Sequence, residues 1–165
     1  MNSIISKIDT GYGILIKAAS CLQPVLLLIV RLYWGWQFFQ TGWGKFQNLS
    51  KPAEYFNTLG IPFPMLNATV VATTECVGGL LLLIGLASRL AAIPLTITMI
   101  VAYLTAEREA LQSIFSDPDK FLGAEPFQFL FATLLVLAFG PGVFSLDYLI
   151  KRIRGRNRPG LESRV

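Results

Sequence analysis

The sequence predicts an all-α integral membrane protein, an antiparallel four-helix bundle with short interfacial helices. Three observations predict it. Of the 165 residues, 53% are hydrophobic and only 15% are charged, against about 25% charged in an average soluble domain. The mean hydropathy is +0.56. The apolar residues are gathered into four stretches of membrane-spanning length, separated by loops that hold nearly all the charge. One domain fills the chain.

Residues 1–21 form the first element, an amphipathic cytoplasmic segment. Ile4, Ile5, Ile8, Tyr12, Leu15 and Ile16 recur at three- and four-residue spacing, which predicts a short helix lying on the membrane surface. The first span follows at about 22–44, with Pro24 expected in its first turn. It carries the polar and aromatic stretch Arg31 to Lys45. At helical spacing Arg31, Trp34, Phe38, Thr41 and Lys45 share one face, and Gln37 and Gln40 lie on a neighbouring one. Gly35 and Gly42 make a small face on which another helix can approach closely.

The segment 45–65 reads as a loop with a short amphipathic helix that starts at Pro52 and ends at Gly60. The second span is expected at about 66–86. Glu75 interrupts it, and Gly78 and Gly79 give a close-packing face. A tight turn, Ala87-Ser-Arg89, leads into the third span at about 90–106, with Pro94 in or near its first turn. The loop 107–125 is polar and expected to be solvated. Pro126 opens the fourth span, 126–140. Ser145 then caps a short helix, and 151–165 is a basic cytoplasmic tail, expected to be disordered from Gly155 onward.

With both termini inside, the inner segments hold nine lysines and arginines and the outer loops hold four. That imbalance predicts cytoplasmic termini. The net charge of +4 reflects this loop bias rather than a nucleic-acid partner, because no polar surface joins the basic residues to stacking aromatics. The bilayer is the first partner. Histidine is absent, and Cys21 and Cys76 form no cluster, so no haem or metal site is evident. A redox centre would have to belong to a partner subunit or be a diffusible quinone.

Two charges interrupt the spans. Arg31 and Glu75 each stand about nine residues into a span, on helices that run in opposite directions. At about 1.5 Å per residue both come near mid-depth in a core of about 30 Å. A lone charge there is costly, so the two side chains are expected to pair. Together with Gln37, Gln40 and Lys45 they form a candidate polar or ligand-binding pocket.

Several short motifs recur in order: Arg31, Gly42-Trp-Gly-Lys45, Glu75-Cys-Val-Gly-Gly79, Gly85-Leu-Ala-Ser-Arg89 and Gly140-Pro-Gly-Val-Phe-Ser-Leu-Asp147. In order and spacing, over about residues 24–150, they resemble the DoxX family of small bacterial membrane proteins. The resemblance implies four membrane helices in the bacterial cytoplasmic (inner) membrane. It marks Arg89 and Asp147 as loop-motif residues. It also implies links to thiosulfate–quinone oxidation in some relatives, and to membrane-bound thiol or superoxide defence complexes in others. The expected function is therefore a membrane subunit or anchor of a quinone- or thiol-linked redox complex, with a quinone as the candidate ligand. A partner oxidoreductase subunit or a homo-oligomer would complete it. The competing readings are a non-catalytic membrane scaffold and a small-solute or ion pathway. Without histidine no nucleophile–base pair of the soluble type can be assembled, so catalytic residues stay unassigned.

Overall fold

A computed structural model describes residues 2–156. It contains eight helices and no strand among the described residues. α1 spans Asn2–Gln47, α2 Ser50–Thr58, α3 Pro64–Ile84 and α4 Ser88–Thr105. α5 spans Arg108–Gln112, α6 Pro118–Gly123, α7 Glu125–Phe139 and α8 Leu146–Arg156.

The N-terminal stretch, expected as a separate surface helix, is continuous with the first span in one 46-residue helix. Gly11 and Gly13 do not break it, since an internal glycine costs a helix only about 1 kcal/mol. Pro24 consequently lies inside α1 and not in a first turn. Its ring removes one hydrogen bond, to the carbonyl of Ser20, without ending the helix. Most side chains of the expected amphipathic pattern, Ile4 to Leu15, lie outside the described residues, as does the tail 157–165. Pro94 is likewise interior, the seventh residue of α4.

Three segments are long and apolar enough to cross a membrane: Ala19–Gln47, Pro64–Ile84 and Ser88–Thr105. α7 is apolar too, but has 15 residues, about 22 Å of helix. α1 packs along α3, α3 on α4, α4 on α7, and α7 back on α1. The core between them is Phe38, Leu82, Ala92, Leu95, Met99 and Val136, with Phe129 and Leu130 packed against it.

The α1–α3 contact is made by glycines. A Cβ on Gly35 would stand 2.8 Å from the Leu83 amide nitrogen, and one on Gly79 would stand 2.5 Å from that of Phe39. A Cβ on Gly42 would run into Cys76 and Ala72. Gly78 faces the other way, onto the Leu95 side chain. Close backbone approach replaces the hydrophobic drive that lipid cannot supply between spans.

The loop 107–125 holds two short helices rather than open chain. Asp117 caps α6 by accepting from the Lys120 amide. The Tyr103 hydroxyl donates to the Phe121 carbonyl at 2.8 Å and stacks on its ring. These bonds tie the end of α4 to the segment that leads into α7.

Candidate functional site

The register of α1 on α3 decides which polar residues meet. Gly42 lies opposite Ala72 and Cys76, and Gly35 opposite Gly79 and Leu83. Arg31, one turn before Gly35, is therefore level with the end of α3. Glu75 is level with the stretch around Thr41. The expected Arg31–Glu75 pair does not form. The sequence argument measured both depths from span ends, and α1 extends far beyond the bundle at its N-terminal side. Arg31 consequently sits at one end of the bundle and not at its middle.

Arg31 is 2% exposed and its guanidinium is held by carbonyls alone. Nε donates to Leu82 O at 3.0 Å, Nη2 to Leu83 O at 3.4 Å, and Nη1 to Pro141 O and Phe144 O. The last carbonyls of a helix have no intrahelical donor. Arg31 supplies one to α3 and at the same time ties down the chain after α7. Gly85, at φ +73°, lets the guanidinium pass, because a Cβ there would collide with Nη2 and Cζ.

The motif residues around it complete a closed structure. The Asp147 carboxylate accepts from Ala87 N at 2.8 Å and Ser88 N at 3.0 Å, and the Asp147 amide donates to Gly85 O. Asp147 thus caps α4 from 59 residues away, where Ala87, at φ +47°, has no side chain to do so. Arg89 donates to Ala138 O at 3.1 Å, joining the start of α4 to the end of α7. Ser145 caps α8 by accepting from the Tyr148 amide at 3.1 Å.

Glu75 finds a different cation. Its carboxylate lies 2.5 Å from Lys45 Nζ, with both oxygens in contact. The Glu75 side chain is 4% exposed and that of Lys45 is 31% exposed. Lys45 stands on the last turn of α1, and its long stem reaches back towards mid-bundle. Both residues line a cavity of about 500 Å³. Phe38 and Thr41 of α1, Val71 of α3, Met99 of α4 and Phe129 of α7 form its inner walls, and Tyr55 and Phe56 of α2 close over it. The ammonium has three donors, and its contact with Glu75 leaves at least one for a ligand. Asn67, Glu107 and Glu125 also line the cavity, and a mostly apolar cavity with a few polar groups is the usual form of a small-molecule site.

Of the five residues expected in one pocket, the structure brings together Lys45 and Glu75. Arg31 is at the opposite end of the bundle. Gln37 is half-buried, Gln40 is exposed, and neither lines the cavity. The sequence reading missed Phe129 and the α2 aromatics as cavity walls. Only the amphipathic pattern of residues 52–59 hinted that α2 folds back. Cys21 and Cys76 are free.

The sequence profile of the DoxX family matches residues 26–108, which contain every helix–helix glycine described above together with Arg31, Lys45 and Glu75. The chain belongs to the DoxX family. An uncharacterized membrane protein of Mycobacterium tuberculosis is 34% identical to it over 137 residues, covering 75% of this chain and 80% of that protein. CatD of Bacillus subtilis, provisionally named an oxidoreductase, is 35% identical over 83 residues, covering 50% of this chain and 60% of CatD. The inner membrane protein YphA of Escherichia coli is 29% identical, covering 76% of this chain and 90% of YphA. No solved structure matches. This DoxX chain is thus a membrane protein of a bacterial family, with several apolar helices in contact with lipid.

Proposed function

We propose that this DoxX protein is a membrane subunit or anchor of a quinone- or thiol-linked redox complex, and that its cavity takes a quinone-type ring. The observation that carries this reading is the Lys45–Glu75 pair at the wall of a cavity of about 500 Å³ that is otherwise mainly aliphatic and aromatic. The provisional naming of CatD as an oxidoreductase points the same way. Glu75 holds the ammonium in place. The remaining Lys45 N–H then meets a ring carbonyl, and Phe38, Met99 and Phe129 exclude water from the ring. A partner oxidoreductase subunit, or a second copy of the chain, completes the complex.

In this reading α7 is a fourth, short crossing. It is tied to α4 at its end through Arg89–Ala138 and in the middle by the buried Thr96–Thr133 hydroxyl pair at 3.0 Å, while Tyr103–Phe121 joins α4 to α6 just before it. A bilayer accommodates a short span by local thinning. The excess of basic residues supports an N-terminus and an α8 on the cytoplasmic side of an inner membrane. Ser113→Cys should be labelled from outside and Ser163→Cys should not; the reverse pattern would invert the topology.

The ligand reading is tested by titrating a short-chain quinone into the purified protein. Trp34 packs edge-on against Phe129 at 5.1 Å, so a ring in the cavity quenches tryptophan fluorescence. Saturable quenching, weakened about tenfold or more in Lys45→Met, supports the proposal. Linear, unsaturable quenching that is identical in Lys45→Met would end it.

A further inference from the structure

We infer that the groove between the α3–α4 turn and α8 is a binding site for the phosphate headgroup of an anionic phospholipid. It lies at the opposite end of the bundle from the Lys45–Glu75 cavity and does not depend on what that cavity binds. The groove has a volume of about 490 Å³. Arg89, Lys151 and Arg154 line it, together with the Tyr148 side chain. The acid that also lines it, Asp147, has its carboxylate already engaged by the amides of Ala87 and Ser88. The three cations therefore face the groove with an unbalanced charge. Arg89 spends one N–H on Ala138 O, which fixes its guanidinium and leaves other donors for phosphate oxygens.

The surroundings select a lipid over a soluble anion. α8 is amphipathic along its length. Leu146, Leu149 and Ile153 are exposed on one arc, and Lys151 and Arg154 lie on another. A helix of this kind lies in the plane of the interface with its apolar arc among acyl chains. Leu90, 71% exposed, and Phe139, 59% exposed, line the same groove. Leu90 stands at the start of α4 and Phe139 at the end of α7, so the groove joins cations to exposed apolar side chains of two apolar helices. A phosphate tethered to acyl chains satisfies both, and a free phosphate satisfies only the first.

The test counts lipids retained by the detergent-purified full chain, by native mass spectrometry, after equilibration with equal phosphatidylglycerol and phosphatidylcholine. The paired variant Lys151→Gln with Arg154→Gln removes two groove cations, both exposed. The control pair, Arg108→Gln with Arg152→Gln, removes the same charge outside the groove. The expected result is preferential retention of phosphatidylglycerol, weakened about thirtyfold in the groove variant and less than about threefold in the control. Should the groove pair lower the melting temperature, Arg154→Gln alone carries the test, with about fivefold weakening expected. Equal losses in both pairs would mean that overall positive charge and not the groove retains the lipid, and would overturn the site. No preference for phosphatidylglycerol would overturn it too. Displacement of the lipid by millimolar inorganic phosphate would assign the groove to a soluble anion instead.

Discussion

The two ends of the bundle each engage a basic residue of α1, and they treat it in opposite ways. At one end Arg31, 2% exposed, is wrapped by four carbonyls. Gly85 gives up its side chain so that the guanidinium can pass. At the other end Lys45 meets one carboxylate at the edge of a cavity of about 500 Å³, still partly exposed. The planar fork of arginine can serve several fixed acceptors at once, whereas lysine is a mobile point charge. A site that is saturated and filled can only hold helices together. A site with a spare donor and adjacent space can take a ligand. Depth in the membrane and charge alone, which looked equivalent for Arg31 and Glu75 in the sequence, do not separate these roles; packing does.

The largest effect is expected at the closed end. Arg31→Met takes the side-chain donor from the Leu82 and Leu83 carbonyls and frees the chain after α7. It should cost about 3 kcal/mol or more, read as loss of folded yield or as unfolding at much lower denaturant. Arg31→Lys should recover little of this, because one ammonium cannot reach acceptors on both segments. A variant with lysine that melts normally would show that the closed end tolerates a point charge, and the contrast would fail.

Next comes the glycine seam that sets the register of the whole molecule. Gly79→Leu pushes α1 away from α3 at a point where even a Cβ stands 2.5 Å from a backbone nitrogen. Overpacking of this kind costs about 1–3 kcal/mol, measured as reduced folded yield and a lower melting temperature. Unchanged melting would place the α1–α3 contact elsewhere. Asp147→Ala should follow, at about 1–2 kcal/mol, because it removes the side-chain cap of α4. The loss should appear as faster amide exchange at Ala87 and Ser88. The smallest effect is expected at Ser88, whose buried hydroxyl has no hydrogen-bond partner among the described residues. Ser88→Ala should leave stability unchanged or raise it slightly.

Much of this fold was legible in the sequence because its cause is local. The apolar runs gave the long helices, Gly60 marked the end of α2 and Ser145 the start of α8. Both caps stand in the structure, at φ +72° for Gly60 and through the Tyr148 amide for Ser145. What was not legible depends on contacts distant in sequence. α5 and α6 are short and polar, and they are held by the Asp117 cap and the Tyr103–Phe121 bond. The start of α4 at Ser88 depends on Asp147. The ion-pair partner of Glu75 depends on how far α1 slides along α3. That slide is fixed by Gly35 and Gly42 against Gly79 and Ala72, a pairing that single-helix periodicity does not reveal. Counting depth from the ends of a span fails when, as in α1, the helix continues well past the bundle.

The central claim is that Glu75 is coupled to Lys45 and not to Arg31. Two double-mutant cycles measured by denaturant unfolding in the same detergent test it directly. One combines Lys45→Gln with Glu75→Gln, and the other combines Arg31→Gln with Glu75→Gln. The structure predicts a coupling of about 1 kcal/mol or more in the first cycle and additivity within about 0.5 kcal/mol in the second. Coupling in the Arg31 cycle with additivity in the Lys45 cycle would contradict the register of α1 on α3, and with it the separation of the bundle into a closed end and an open one.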